Sequence, residues 1–135
     1  MIDLRELATI KSRRNVLVVD DEPHILNLVR MTLDDERFDV HGAQSAHEAL
    51  QLVKDAPPDI IILDLMMPGI NGYELCQAFR ENPHTKEVPI VILSAKSQMS
   101  DKLHAIDVGA DDYITKPFDP MELLRRIKLN LNIAG

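Results

Sequence analysis

Short apolar runs alternate with longer amphipathic stretches five times along the chain. The runs predict strands at residues 16–19, 38–43, 60–63, 89–93 and 112–115. Three of them are continuously apolar, which is typical of parallel strands covered on both faces. The second run interleaves Asp39 and His41 with apolar residues, which is typical of an edge strand.

The stretches between the runs have helical periodicity. They predict helices over residues 23–36, 45–55, 72–81, 97–108 and 120–131. Ser45 and Glu48 match a capping box, and Asp119 is placed to cap the last helix. The fourth helix carries Met99, Leu103 and Ile106 as its apolar positions. Strands that alternate with helices predict right-handed crossovers and a three-layer α/β sandwich.

Composition narrows the class of protein. The 135 residues suffice for one domain, predicted at residues 15–132 after a lead-in segment at 1–14. A net charge of −7 disfavours direct binding to nucleic acid. No apolar run approaches the roughly 20 residues of a membrane helix, and the N-terminus lacks the order of a signal peptide. We therefore expect a cytoplasmic protein, and the single Cys76, which excludes an internal disulfide, agrees with a reducing compartment.

Reactive side chains follow four of the predicted strands. Asp20 and Asp21 come after the first, Asp64 after the third, Ser94 after the fourth and Lys116 after the fifth. In open α/β sheets the ligand site lies at the carboxyl ends of the strands. We therefore expect three carboxylates, a hydroxyl and an ammonium at one edge of the sheet.

This combination of groups favours phosphoryl chemistry. Carboxylates placed together repel one another unless a cation lies among them, and hard oxygen ligands suit Mg²⁺. Lys116 cannot bind a metal, but it can pair with an anion such as phosphate. A carboxylate nucleophile can form an acyl phosphate. The five histidines are scattered and show no metal-ligand spacing.

Four sequence blocks resemble the response regulator receiver family, the CheY-like domains. They are VLVVDDEP at 16–23, DIIILDLMMPGINGYEL at 59–75, PIVILSA at 89–95 and GADDYITKPF at 109–118. The resemblance implies a doubly wound, flavodoxin-like (βα)5 fold with a five-stranded parallel sheet in the order 2-1-3-4-5. It also implies a phosphoacceptor in a two-component phosphorelay. We expect no effector domain in this chain.

The resemblance implies roles for the acidic residues. Asp64 matches the phosphoacceptor, which takes its phosphoryl group from a sensor histidine kinase or a phosphotransfer protein. Asp21 matches the direct Mg²⁺ ligand, and Asp20 the acid that holds metal waters. The backbone carbonyl of Met66 completes the implied metal site, together with Asp64. Such a domain is a signalling switch and not an enzyme. It catalyses only its own phosphorylation and slow autodephosphorylation.

The same resemblance implies a switch. Lys116 matches the lysine that binds a phosphoryl oxygen, and its bond to Pro117 matches a cis peptide. Ser94 matches the hydroxyl that moves toward the phosphate, and Tyr113 the aromatic ring that then turns inward. The face formed by residues 97–132 is expected to change with them.

Residues beside the phosphoacceptor add detail. Gly69 and Gly72 fit a tight loop that needs positive φ. By resemblance, Met66 and Lys96 occupy positions that tune the lifetime of the phosphoryl group.

The output stays open. The segment ELLRRIK at 122–128, with Asp111 and Asp112 before it, resembles the charged dimer face of receivers fused to winged-helix domains. A homodimer through residues 97–132 and an ordinary exposed helix face are equal alternatives. The chain is either a stand-alone receiver or a fragment of a longer protein.

Three rival functions have weaker support. A phosphohydrolase of the haloacid-dehalogenase type needs a second acid two residues after the nucleophile, where this chain has Met66. A nucleotide-binding domain needs a glycine-rich loop after the first strand, which is absent from the sequence. A degenerate receiver that acts only as an interaction module is the serious alternative, because sequence does not show that Asp64 is phosphorylated.

Overall fold

The computed structural model describes residues 2–7, 13–34 and 37–133. Five long strands form one sheet, and we number them in chain order. They are β1 (Arg14–Val19), β2 (Phe38–Ala43), β3 (Ile60–Leu63), β4 (Ile90–Ser94) and β5 (Asp112–Thr115). Neighbouring strands are parallel, and their order across the sheet is β2-β1-β3-β4-β5. The predicted strands, the predicted order and the edge position of β2 are confirmed.

Five helices cover the two faces of this sheet. They are α1 (Pro23–Thr32), α2 (Ala46–Asp55), α3 (Gly72–Glu81), α4 (Met99–Asp107) and α5 (Pro120–Leu131). One core cluster joins the sheet to α1 and α5 through residues such as Val29 and Ile127. The other joins it to α2, α3 and α4 through Ala49, Phe79 and Ala105. The three-layer sandwich is therefore confirmed. Within the described ranges, no helix is long and apolar enough to cross a membrane.

Side-chain caps fix where several helices begin. The Ser45 hydroxyl accepts the backbone N–H of Glu48 at 3.1 Å, and the Asp119 carboxylate accepts that of Met121 at 2.9 Å. Both predicted caps are present. In a capping box the Glu48 carboxylate would accept the backbone N–H of Ser45. It accepts that of Gln44 instead, at 3.3 Å, so the second hydrogen bond of the box is shifted by one residue.

Two helices differ from the sequence prediction. α1 ends at Thr32 because Leu33 has already left the helical conformation and lies buried in the core; residues 35–36 of the predicted helix lie outside the described ranges. α4 is shorter than predicted, and Met99, Leu103 and Ile106 are 68%, 54% and 65% exposed. The helix packs on the core through the small side chain of Ala105, so its larger apolar side chains face outward.

Candidate functional site

The register of the sheet brings the acidic residues together. Val19 at the end of β1 pairs with Leu63 at the end of β3, so the next residues, Asp20 and Asp64, leave the sheet side by side. The backbone N–H of Asp64 donates to the carbonyl of Val19 at 2.9 Å and holds the two strand ends together. Carboxylate oxygens of Asp20, Asp21 and Asp64 lie within 4.8 Å of one another.

Lys116 closes this cluster from the end of β5. Its Nζ lies 2.7 Å from Asp20 Oδ2 and 3.4 Å from Asp64 Oδ2. The side chains of Lys116, Asp20 and Asp64 are only 12%, 2% and 5% exposed. The backbone N–H of Lys116 donates to the carbonyl of Ser94 at 2.8 Å, and the Lys116–Pro117 bond is cis, as the resemblance implies. The ionic contacts are therefore largely shielded from solvent.

Burial and pairing compete in this pocket. Burial raises the pKa of the Asp20 carboxyl above its ordinary value, although the hydrogen bond from Lys116 opposes that effect. For Lys116, burial alone favours the neutral amine, but the hydrogen bond to Asp20 and the nearby Asp64 carboxylate outweigh it and raise the pKa. Lys116 thus stays an ammonium. Three carboxylates against one ammonium leave two negative charges in the cluster.

The donor set fits a hard divalent cation. It contains three carboxylates, and within the described residues no histidine or cysteine joins the group. Oxygen-only sites with excess negative charge suit Mg²⁺, which needs few protein ligands. The backbone N–H of Met66 donates to Asp64 Oδ1 at 3.0 Å. Met66, whose carbonyl is the predicted fourth ligand, is therefore hydrogen-bonded to the Asp64 carboxylate. The acidic cluster could therefore bind a metal ion.

Ser94 and Tyr113 meet through the backbone of Lys96. Ser94 is fully buried at the end of β4, and its Oγ accepts the N–H of Lys96 at 3.2 Å. The Tyr113 hydroxyl donates to the Lys96 carbonyl at 2.7 Å. Burial raises the pKa of Tyr113 to about 12, against the opposing hydrogen bond with Ser94. The two predicted switch residues thus both bind the backbone of Lys96, and the Tyr113 ring packs against the core cluster that joins the sheet to α2, α3 and α4.

The loop after Asp64 uses its two glycines differently. Residues Met66–Met67 pair antiparallel with Ile70–Asn71, and Gly69 turns this hairpin at φ 73°, as predicted. Gly72 does not have positive φ, so that part of the prediction is wrong. It begins α3, where an added Cβ would lie 2.4 Å from the Cα of Leu65. Gly72 is needed because two backbone segments approach closely.

Charges on α5 pair within the chain. Arg126 contacts Asp112 at 2.5 Å and Glu122 at 2.8 Å, and Arg125 contacts Glu122 at 2.7 Å. Hydrogen bonds from these two guanidinium groups lower the pKa of Glu122 to about 2. Asp111 instead binds a guanidinium from α3. The predicted charged face is present, and four of its charges pair with one another in a single copy of the chain: Asp112, Glu122, Arg125 and Arg126.

Sequence reasoning missed an aromatic contact beside the pocket. The rings of Tyr73 and His104 are stacked with their centroids 3.8 Å apart. Tyr73 is in α3 and His104 in α4, so no local sequence pattern joins them. The only available signal in the sequence was an aromatic residue, Tyr73, two positions after the end of the hairpin.

Comparison with known proteins agrees with this geometry. The family model described as response regulator receiver domain matches residues 16–128. The chemotaxis protein CheY4 of Vibrio cholerae is 34% identical, with a TM-score of 0.83 over 88% of this chain and 99% of that chain.

Two further solved structures are similar. The BeF3-activated DrrB receiver domain is 32% identical, with a TM-score of 0.81 over 89% of this chain and 98% of that chain. A CheY-like receiver domain protein of Methanospirillum hungatei is 26% identical, with a TM-score of 0.82 over 90% and 95% of the two chains. The chain belongs to the response regulator receiver domain family of two-component signalling.

Proposed function

We propose that this receiver domain accepts a phosphoryl group on Asp64 from the phosphohistidine of a sensor histidine kinase or a phosphotransfer protein. Mg²⁺ would be held by Asp20, Asp21, Asp64 and the carbonyl of Met66. The observation that carries the proposal is the buried pocket in which carboxylates of the cluster contact the ammonium of Lys116. Such a pocket has excess negative charge and one cation placed for an incoming phosphoryl oxygen.

The residues of the chain have distinct parts in the transfer. A carboxylate oxygen of Asp64 forms the new bond to phosphorus while the P–N bond breaks and its electron pair returns to the imidazole. The N–H of Met66 fixes the orientation of that carboxylate. Bound Mg²⁺ would neutralise charge that develops on the transferred group. Lys116 supports this by binding a phosphoryl oxygen, since its Nζ already lies 3.4 Å from Asp64.

The proposed output is a change in population between two arrangements. The Ser94 hydroxyl would bind the new phosphoryl group, and phosphorylation would favour the arrangement in which Tyr113 is turned inward, with its hydroxyl on the Lys96 carbonyl. The face of residues 97–132 would then bind a partner or a second copy of the chain. The domain would act on no other substrate and would catalyse only its own phosphorylation and slow dephosphorylation. The cytoplasmic location expected from the sequence stays a prediction.

Intact-protein mass spectrometry after incubation with acetyl phosphate tests the proposal. The native chain with Mg²⁺ should gain one phosphoryl group, and EDTA should prevent the gain. Asp64→Asn should abolish it, whereas Asp55→Asn, an exposed aspartate at the end of α2, should leave it unchanged.

Absence of an adduct in every condition, together with no binding of beryllofluoride, would favour the interaction-module alternative. Beryllofluoride is needed there because a fast autophosphatase would also show no adduct. Size-exclusion chromatography with and without beryllofluoride tests dimerisation, and a monomer in both would contradict the dimer.

A further inference from the structure

Lys96 is the meeting point of two tyrosines. Its backbone N–H and carbonyl bind Ser94 and Tyr113, the two switch residues. Its ammonium lies 5.4 Å from the centroid of the Tyr73 ring and 3.9 Å from Asp101 Oδ1. One residue therefore contacts the switch on its backbone side and Tyr73 on its side-chain side.

Tyr73 also contacts α4 directly. Its ring and that of His104 are 12° from parallel, and its hydroxyl donates to the carbonyl of Asp101 at 3.3 Å. Tyr73 is only 8% exposed, while His104 is exposed. The His104 imidazole thus packs on the solvent side of the buried Tyr73 ring, and the stack joins the second half of α4 to the start of α3.

α4 has few other anchors. Within the helix only Ala105 is buried, and the apolar residues Met99, Leu103 and Ile106 face outward. A helix with so little buried apolar surface opens locally more easily than its neighbours. The contacts of Tyr73 with Asp101 and His104, and that of Tyr113 with the Lys96 carbonyl just before α4, therefore have a large share in holding the helix.

Tyr73 is in turn fixed to the phosphoacceptor loop. The Asn71 side chain accepts the N–H of Tyr73 at 3.0 Å, and Gly72 lies against the backbone of Leu65, the residue after Asp64. A shift of the backbone at Leu65 is therefore passed through Gly72 to the adjacent Tyr73.

We propose that Tyr73 and His104 are positioning residues, whose stack holds α4 in the arrangement with Tyr113 inside and links the Asp64 loop to α4 by a route that runs beside Ser94. The link to Asp64 rests on the proposed phosphoacceptor function. The hold on α4 does not, so the two parts are tested separately.

Hydrogen exchange followed by mass spectrometry tests the hold on α4 in the full chain without phosphate. In His104→Ala, amides of residues 99–107 should exchange on the order of two- to tenfold faster than in the native chain, the size of one aromatic pair. His104→Phe keeps a flat ring and should restore native exchange. Leu103→Ala, a matched truncation on the same helix, should change little. Equal exchange in His104→Ala and Leu103→Ala would overturn the proposal.

Binding of beryllofluoride with Mg²⁺, followed by ¹⁹F NMR, tests the link to Asp64. His104→Ala should weaken binding by on the order of two- to tenfold, and His104→Phe should restore it. Faster α4 exchange with unchanged beryllofluoride binding would overturn the link, since the stack would then be structural only. If the native chain binds no beryllofluoride, the proposed function fails, and the exchange experiment still decides whether the stack holds α4.

Discussion

The pocket and the α5 surface contain ion pairs of nearly equal length in opposite surroundings. Lys116 and Asp20 are 2.7 Å apart and 12% and 2% exposed, whereas Arg126 and Glu122 are 2.8 Å apart and 35% and 36% exposed. Burial raises the pKa of Asp20 despite its lysine partner. On the surface, hydrogen bonds from arginine lower the pKa of Glu122 to about 2. The contact distance therefore does not determine the electrostatic state.

The difference in burial distinguishes a ligand-binding pocket from an ordinary charged surface. In the pocket, desolvated carboxylates outnumber the single ammonium, so the charge is balanced fully only when a cation binds. On α5, each carboxylate has a guanidinium partner and water nearby, so no ligand is needed. Charges buried in excess point to function more strongly than charges paired on a surface.

Removal of the Lys116 ammonium should give the largest effect. Lys116→Met leaves Asp20 and Asp64 buried without their cation and should lower the free energy of unfolding by about 3 kcal/mol near neutral pH in EDTA. The deficit should shrink as the pH falls, because a protonated Asp20, whose pKa burial already raises, needs no counter-charge. Urea denaturation measures both effects.

A surface lysine provides the control for this prediction. Lys54→Met removes the same group from the exposed last turn of α2 and should change stability by less than about 0.5 kcal/mol. Equal urea midpoints for Lys116→Met and Lys54→Met would contradict the distinction between the buried and exposed pairs.

The pocket and the surface also differ in how far the sequence predicts them. Strand ends place Asp20, Asp64 and Lys116 at one edge, because register in a parallel sheet follows from the apolar runs. The apolar pattern of α4 did not predict that Leu103 would face outward. This short helix contacts the core through Ala105, so its larger apolar residues do not form a buried face. The contact between Tyr73 and His104 depends on the docking of two helices, which no local pattern encodes.

Close backbone packing beside Asp64 should give the next largest effect. Gly72→Ala places a Cβ 2.4 Å from the Cα of Leu65 and should cost about 2 kcal/mol, although alanine is the better helix former. Gly69→Ala meets no neighbouring atom within 4 Å and should cost about 1 kcal/mol, from its positive φ alone.

Urea midpoints and the rate of phosphorylation by acetyl phosphate test this pair of variants. Gly72→Ala should slow phosphorylation more than Gly69→Ala, because it displaces the backbone next to Asp64. A Gly72→Ala protein more stable than the native chain would show that Leu65 yields, and that helix propensity decides at this position.

On the α5 surface, loss of an arginine should matter less. Arg126→Met removes the contacts to Asp112 and Glu122 and should cost about 0.5–1 kcal/mol at low salt. Arg125→Met, which removes only a contact to Glu122, should cost less. Both deficits should diminish at high salt, whereas that of Lys116→Met should persist. A salt-independent loss in Arg126→Met would mean that this network behaves like the pocket.

The smallest effect concerns the titration of Glu122. Its folded-state pKa of about 2 lies below its ordinary value of 4.5, so its contribution to stability is complete above pH 4.5 and is lost as the pH falls toward 2. Asp20 has the opposite sign: its raised pKa means that protonation favours the folded state as the pH falls. A ¹³C NMR titration should find Glu122 near 2 at low salt, moving toward 4.5 at high salt or when Arg125 and Arg126 are both changed to Gln. A midpoint near 4.5 in the native chain at low salt would show that the two guanidinium groups do not lower the pKa of Glu122.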